Sequence, residues 1–180
     1  SQNFTTSTNA YNVAIGEQTG RNITTGIQNT IIGGLAGDAL TDADYNVAIG
    51  GNALGANTVG SRSVAVGYGA LTSHNPATAI DTYNTAVGML AGENVTTGTN
   101  NTIVGGLAGD AITTGARNTL LGTAAGGALA TANSDNTFIG CSSGENITSG
   151  DANTILGRYN GNQGGLDIRT ASNNIVLSDG

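Results

Sequence analysis

Asn101-Thr102-Ile103-Val104-Gly105 is one copy of a five-residue motif that returns through almost the whole chain. The motif reads Asn, then Thr or Val, then an apolar residue, then Ile, Val or Leu, and then Gly. Its copies begin at Asn12, Asn29, Asn46, Ser63, Asn84, Asn101, Asn118, Asn136, Asn153 and, in a degraded form, Asn174. The steps between them are 17, 17, 17, 21, 17, 17, 18, 17 and 21 residues. A fixed period with occasional insertions indicates a repeat protein rather than a globule.

We call each repeat a rung and count its positions from the motif Asn at position 0. Gly occupies position +4 in every complete copy, from Gly16 to Gly157, and position +8 in most of them, with Leu54 and Leu71 as exceptions. Recurrent Gly between short runs of β-branched residues is typical of tight corners that join short strands. The sequence therefore predicts an all-β fold: a parallel β-roll, or β-solenoid, of about ten 17-residue rungs, forming one domain over residues 1–180.

A second strand is also predicted in each rung, about ten residues after the motif. Stretches rich in Ile, Val and Thr recur there, at residues 22–25, 94–97, 111–114 and 146–149. Stacking both strands on their equivalents would form two parallel sheets, with rungs about 4.8 Å apart and a rod about 45 Å long.

Alternation of side chains divides the motif strand into two faces. Positions +1 and +3 point one way, as Thr102 and Val104 do, and positions 0 and +2 point the other way. Both faces are apolar, whereas a roll has only one interior, so one face needs a further partner. We expect another copy of the chain to cover the face at +2. The candidate subunit-interface residues are Ile31, Ile103, Leu120, Phe138 and Ile155.

The charge balance argues against nucleic acid as a partner. The chain has 12 acidic residues, five Arg and no Lys, whereas phosphate binding rests largely on basic residues. No apolar run approaches the roughly 20 residues that span a bilayer, and residues 1–4 do not resemble a signal peptide, so we expect no membrane insertion. The lone Cys141 cannot form an intrachain disulfide or hold a metal by itself, and we expect no cofactor. The abrupt ends suggest a segment of a longer protein.

Two insertions interrupt the period, at residues 72–83 and 158–172. Insertions in a solenoid form protruding loops, where a repetitive rod gains individual features. We therefore expect them to contact a receptor. The candidate receptor-contact residues are His74, Asn75, Asp81, Tyr83, Tyr159, Asp167 and Arg169.

The hexapeptides Tyr45-Asn46-Val47-Ala48-Ile49-Gly50 and Arg62-Ser63-Val64-Ala65-Val66-Gly67 resemble the repeats of trimeric autotransporter adhesin heads. The 17-residue unit, Asn-Thr-x-Ile-Gly followed by Ala-Gly and then Asn-x-Thr-Thr-Gly, is similar to repeats in bacteriophage tail-fibre proteins. The resemblance covers roughly residues 10–180. It implies a left-handed roll, a homotrimer, and a structural or adhesive role toward a host-surface glycan or protein. The location would be a virion tail fibre or an extracellular bacterial surface.

Other functions are open to the same sequence. End-to-end stacking of rungs would build a filament, because the end strands of a solenoid present unpaired edges. Glu93 and Asp110 share a position in consecutive rungs, which would place two carboxylates near 5 Å apart, as in a retaining glycosidase. A solvated turn explains both residues more simply, and so does a surface loop for the triad-like Ser73, His74 and Asp81. We therefore expect no enzyme activity.

Ice binding is the remaining alternative, because flat threonine arrays on β-solenoids form the surface of ice-binding proteins. The neighbouring Thr25, Thr97 and Thr114 point the other way, so the paired T-x-T pattern is missing. The column that suggests this function consists of Thr24, Thr41, Thr58, Thr96, Thr113 and Thr148.

Overall fold

The computed structural model describes residues 10–130 and 132–178, which form strands and turns. Each predicted rung contributes one three-residue strand at the start of its motif. The strands are β1 (Val13–Ile15), β2 (Thr30–Ile32), β3 (Val47–Ile49), β4 (Val64–Val66), β5 (Thr85–Val87), β6 (Thr102–Val104), β7 (Thr119–Leu121), β8 (Thr137–Ile139), β9 (Thr154–Leu156) and β12 (Ile175–Leu177). Within the second insertion, β10 (Asn162–Gln163) and β11 (Leu166–Asp167) form an antiparallel hairpin. In the described residues, no helix is long and apolar enough to cross a membrane.

The ten motif strands form one parallel sheet in chain order, from β1 to β9 and then β12. The register is constant, because equivalent positions of consecutive rungs lie side by side. Val104 of β6 pairs with Leu121 of β7, and Leu121 pairs in turn with Ile139 of β8. The predicted β-solenoid of about ten rungs, roughly 17 residues apart, is confirmed.

The motif Asn closes each rung and also bonds it to the next. The side chain of Asn101 is fully buried, and its Nδ2 donates to the Gly115 carbonyl oxygen at 2.9 Å. Its Oδ1 accepts hydrogen bonds from the backbone N and the Nδ2 of Asn118, at 3.0 and 3.1 Å. Buried amides are tolerated only when their donors and acceptors are paired. The recurrent Asn therefore forms a polar ladder that fixes the corner of each rung except the fourth, where Ser63 replaces it.

The predicted second strand in each rung is wrong. Residues 22–25, 94–97 and 146–149 stack on the next rung without forming strands, and residues 111–114 have only an isolated bridge at Ile112. The backbone N atoms of Thr24, Thr25 and Gly26 all donate to the carbonyl oxygen of Thr41, at 2.9, 3.3 and 3.2 Å. Three consecutive donors converging on one acceptor require a chain that turns, whereas a parallel strand spreads its bonds along its partner.

The interior of the roll is filled by rows at positions +2, +7 and +11, which run along its length. Position +8 holds a large side chain only in rungs where the side chain at position +2 is small. Ala65 is followed by the buried Leu71, whereas Phe138 is followed by Gly144, where an added Cβ would lie 2.5 Å from the Phe138 ring. Close packing favours such an exchange. In the rung where Ala86 and Gly92 are both small, Leu71 of the preceding rung lies 3.1 Å from the Cβ position of Gly92. The exceptions Leu54 and Leu71 are thus explained by the small Ala48 and Ala65 of the same rungs.

We expect Leu71→Gly to destabilise the roll by about 2–3 kcal/mol. Loss of the buried side chain costs about 3–4 kcal/mol. Relief of a positive φ of 50° at a non-Gly residue returns about 1 kcal/mol. Adding Ala65→Ile recreates the large-residue and Gly pairing found at Ile31 and Gly37 and at Ile103 and Gly109, so the double variant should recover more than half of the loss. Urea denaturation of the two single variants and the double variant measures this coupling. Strictly additive effects would contradict the volume exchange.

Candidate functional surfaces

The outer face of the sheet is formed by positions +1 and +3 of the motif strands. Position +3 carries a branched apolar residue in every rung, and these side chains remain partly exposed on the single chain. Leu121 is 44% exposed and Leu156 is 40% exposed, although both stand in the middle of a regular sheet. The row at +3 consists of Ile15, Ile32, Ile49, Val66, Val87, Val104, Leu121, Ile139, Leu156 and Leu177.

The predicted subunit-interface residues are on the other face, so that prediction is wrong. Their side chains are completely buried inside their own chain, where they form the interior row at +2. A side chain with no exposed surface in the single chain cannot form a contact between subunits. The residues concerned are Ile31, Ile103, Leu120, Phe138 and Ile155. The apolar face left without a partner is the one that contains Val104, not the one that contains Ile103.

A row of threonines at +1 on the outer face was not singled out from the sequence. The row consists of Thr85, Thr102, Thr119, Thr137 and Thr154, which lie side by side in β5 to β9. Their hydroxyl groups make no hydrogen bond to other described residues. The signal was present in the motif, whose second residue alternates between Val and Thr. The outer face is therefore apolar at +3 and amphipathic at +1 over five consecutive rungs.

The first insertion brings charged and aromatic side chains together beside the outer face. Asp81 accepts from Arg62 Nε at 2.9 Å and from the Tyr83 hydroxyl at 3.1 Å. The Arg62 guanidinium lies 4.5 Å from the centre of the Tyr45 ring, within the range of a cation–π contact. Asp81 and Tyr83 are thus exposed, as expected of receptor contacts. Sequence reasoning missed Tyr45 and Arg62, which occupy position −1 of the two preceding rungs.

The other two receptor-contact residues predicted near this insertion differ from each other, because Asn75 is exposed and His74 is buried. Asn75 bonds neighbouring rungs, because its Oδ1 accepts from the Thr58 hydroxyl at 2.8 Å and its N donates to the Thr96 carbonyl oxygen. His74 is fully buried, so its prediction as a receptor contact is wrong. Counted from Ser63, His74 stands at position +11, the interior row of Ile23 and Val95. The inserted residues follow Asn75 and do not include the histidine.

The second insertion forms one wall of an open groove of about 720 Å³. Arg169 makes a bidentate pair with Asp167, from Nε at 3.0 Å and from Nη2 at 2.8 Å. This pairing holds the pKa of the Asp167 carboxyl below its usual range. The groove thus offers an exposed carboxylate and guanidinium together with amide and hydroxyl groups. Its lining residues are Ala128, Asn146, Thr148, Asp167, Arg169 and Thr170.

Tyr159 does not contact solvent as a receptor residue would, and its prediction is wrong. It is only 4% exposed, and its hydroxyl donates to the Leu166 carbonyl oxygen at 2.8 Å. Its own carbonyl oxygen accepts from Gly144 N, the bond that position +7 makes in other rungs. The ring therefore occupies the interior position that Ala holds in most rungs, and its hydroxyl group bonds to β11 of the hairpin. Burial, followed by the nearby charge of Asp167, raises the pKa of Tyr159.

The two carboxylates considered for glycan hydrolysis are Glu93 and Asp110. Asp110 lines an open groove of about 320 Å³ with Glu145, two rungs further along, and Glu93 is not among its lining residues. Burial, with a smaller contribution from the charge of Glu93, raises the pKa of Asp110. The side chains around this groove are Leu107, Asp110, Ala124, Gly127, Ala128, Glu145 and Asn146, with no aromatic ring to stack on a sugar. Among the described residues, no group of three or more His, Cys, Asp or Glu is placed to hold a metal ion.

The threonine column considered for ice binding uses its hydroxyl groups within the chain. Thr41 and Thr96 donate from Oγ1 to the carbonyl oxygen of the equivalent residue in the next rung, both at 3.1 Å. The triad-like arrangement is also absent, because neither ring nitrogen of His74 has a hydrogen-bond partner and Asp81 pairs with Arg62.

Comparison with protein-family models, with curated proteins and with solved structures finds no match.

Proposed function

We propose that this chain is a non-enzymatic segment of a homotrimeric fibre, such as a viral tail fibre, that spaces and presents a receptor-binding surface. The outer face supports this proposal more directly than any other feature. Ten rungs each place a branched apolar side chain there, in register and exposed to water on the single chain. A large exposed apolar patch on a soluble protein favours a protein partner.

The size and shape of the outer face favour another copy of the same chain as that partner. Rungs spaced by about 4.8 Å make a stripe about 45 Å long, and side chains two residues apart make it about 7 Å wide. A straight stripe of this shape fits an equally long and regular surface, which an identical rod provides. The number three rests on the resemblance to trimeric adhesin heads and tail fibres.

The proposed mechanism is geometric. The buried Asn ladder and the parallel sheet stiffen each chain, and covering the outer faces joins the chains into one rod. Two exposed groups then stand beside the rod: the cluster of Tyr45, Arg62, Asp81 and Tyr83, and the groove that contains Asp167 and Arg169. Each group would occur three times, so weak single contacts with a host glycan or protein combine into avidity. The fibre would belong to a virion or a cell surface.

We expect the isolated chain to have about three times its 17.7 kDa mass in size-exclusion chromatography with light scattering. Leu121→Glu should shift it to the monomer, because a carboxylate would have to be desolvated in the covered face. Ile80→Glu is a matched control, since Ile80 is 40% exposed on the first insertion and Leu121 is 44% exposed on the outer face. This control should leave the mass unchanged.

A monomeric parent chain, or equal effects of the two variants, would contradict the proposal. A mass that keeps growing with concentration would indicate a filament formed by stacking of end strands. Circular dichroism of both variants distinguishes loss of association from loss of folding.

Ice binding is the second candidate, because of the row at Thr85, Thr102, Thr119, Thr137 and Thr154. Its hydroxyl groups are unpaired within the described residues and repeat at the rung spacing beside an apolar row. The same samples decide between the two functions. A monomer that lowers the freezing point relative to the melting point would favour ice binding, whereas a trimer without this effect favours the fibre.

A further inference from the structure

His74 stands in an interior row that is otherwise almost entirely apolar. The row at +11 runs through Ile23, Leu40, Asn57, His74, Val95, Ile112, Leu129 and Ile147. Asn57 satisfies its amide locally, through Gly60 N at 2.9 Å and the Gly60 carbonyl oxygen at 2.8 Å. Both ring nitrogens of His74 are buried without a hydrogen-bond partner. Burial therefore disfavours the protonated form of this imidazole.

The Asn ladder is also weakest beside His74. Ser63 replaces the motif Asn in this rung, so no side-chain amide donates from this position, and only the backbone N of Ser63 donates to the rung before it, to Asn46 Oδ1 at 2.9 Å. The Ser63 hydroxyl accepts from Asn84 N at 3.3 Å, the longest backbone contact of the ladder, and is held by the Thr82 hydroxyl at 2.6 Å. Most regular rungs have an additional amide–amide bond, such as Asn118 to Asn101 at 3.1 Å.

The first insertion removes further support at the same level. Residues 76–81 donate no backbone hydrogen bond to other described residues. The chain rejoins the stack at Ile80, whose carbonyl oxygen accepts from Ser61 N at 2.9 Å, and at Thr82, whose N donates to the Ser61 carbonyl oxygen at 2.9 Å and whose carbonyl oxygen accepts from Asn100 N at 2.8 Å. A polar interior residue, a weakened Asn ladder and a segment without backbone hydrogen-bond donors therefore coincide in the fourth rung.

We propose that the fourth rung, from Ser63 to Tyr83, is an acid-labile joint, and that protonation of His74 opens it while the rungs on either side stay stacked. The structure on either side supports such a local event, because rungs in a solenoid contact only their neighbours. The inference concerns the single chain and holds whether or not the chain forms a fibre.

The groups around His74 compensate only in part for its charge, through the Thr96 carbonyl oxygen. Val95 and Asn57 are its neighbours along the row, and Leu71 accepts its backbone N–H at 3.1 Å. The carboxylate residues on adjoining segments are Glu93, in the outer turn of the next rung, and Asp81, already paired with Arg62. Neither contributes to the pKa of His74, which burial lowers to about 4 despite an opposing effect of the Thr96 carbonyl.

The direction of the pH dependence follows from this pKa. The open form titrates near 6.5 and the closed form near 4, so the open form binds more protons between these values. Stability of the joint is therefore constant above about pH 7 and falls as the pH drops from about 6.5 toward 4. The ratio of open to closed forms should rise on the order of 100-fold between pH 7 and pH 4.5.

Hydrogen exchange monitored by NMR tests this proposal at single amides. The backbone N–H groups of Ser73, His74 and Asn75 all donate across or within the joint. Between pH 7 and pH 4.5, their protection relative to intrinsic exchange should fall by tens-fold, whereas that of Thr119 and Gly122, three rungs away, should not. His74→Leu introduces the residue found at Leu40 and Leu129 in the same row. In this variant the selective loss should disappear, while every carboxylate is retained.

An equal loss of protection in the parent chain and in His74→Leu would overturn the proposal. So would a loss spread evenly over all rungs. A second measurement is independent of the variant: the His74 ring signals of the parent chain should titrate near pH 4. Titration near 6.5 would contradict a closed joint around a neutral imidazole.

Discussion

Gly105→Ala should unfold the roll or destabilise it by more than about 4 kcal/mol, the largest single effect that we expect. Gly105 has a φ of +138°, a conformation that costs an L-residue about 1–3 kcal/mol. An added Cβ would also overlap the carbonyl group of Gly122 in the next rung. Backbone cannot move aside as a flexible side chain can, and the same Gly122 donates from its N to Val104 O at 2.8 Å. The strain therefore adds to the steric overlap.

Gly106→Ala is the matched control for this substitution. Gly106 has no positive φ, and the only atom near its added Cβ is the Met89 carbonyl oxygen at 3.9 Å. We expect a change within about 0.5–1 kcal/mol, of either sign, because Ala also reduces the freedom of the unfolded chain. Thermal or urea unfolding of the two variants gives the comparison. Similar losses of stability for Gly105→Ala and Gly106→Ala would show that the corner geometry at Gly105 does not determine the effect.

The periodicity of the sequence was sufficient to place every motif strand. A motif that returns every 17 residues fixes the register, and even the degraded copy after Asn174 forms the edge strand β12 (Ile175–Leu177). The second strand could not be predicted in the same way. Thr and Ile favour extended backbone only weakly, and here three N–H groups from Thr24 to Gly26 converge on one carbonyl oxygen.

The direction of the two faces could not be predicted from alternation alone. Val104 and Ile103 are equally apolar, and alternation says only that they point apart. A signal inside the sequence does distinguish them. Large residues at +2 occur with Gly at +8, as in Phe138 and Gly144, whereas Ala65 occurs with Leu71. Positions that exchange volume must share one enclosed space, which identifies +2 as the interior.

The candidate site residues include some that the sequence predicted correctly and some that it did not. Asp81, Tyr83, Asp167 and Arg169 are exposed on insertions, as predicted from their position in the sequence. His74 precedes the inserted residues and keeps its place in an interior row. Tyr159 fills the row at +7 after a deletion of one residue. Whether a residue near an insertion is buried depends on the position in the rung at which the insertion begins. The spacing between motif copies gives the length of the insertion but not this position.

Asn101→Asp should destabilise the roll by more than about 3 kcal/mol at pH 7. The new oxygen would replace Nδ2, which faces the Asn84 Oδ1 at 3.2 Å and the Gly115 carbonyl oxygen at 2.9 Å. Two acceptors would then confront a buried carboxylate, and the Gly115 carbonyl would lose its donor. Asn100→Asp is the control. Asn100 precedes it, is exposed, and has a φ of 59° that both Asn and Asp tolerate. Its cost should be below about 0.5 kcal/mol.

The pH dependence of this loss separates the buried ladder from a general effect of added charge. Burial beside two acceptors raises the pKa of the introduced carboxyl in the folded state, because only the protonated acid donates a hydrogen bond. A raised folded-state pKa means that the penalty is smallest below the unfolded value near 4 and grows as the pH rises. The difference in urea midpoint between Asn101→Asp and the parent chain should therefore shrink from pH 7 to pH 4.5. This direction is opposite to that of the His74 joint, so comparison with the parent at each pH cancels the joint's contribution. A penalty that is equal at both pH values would mean that the Asn ladder does not require a donor at this position.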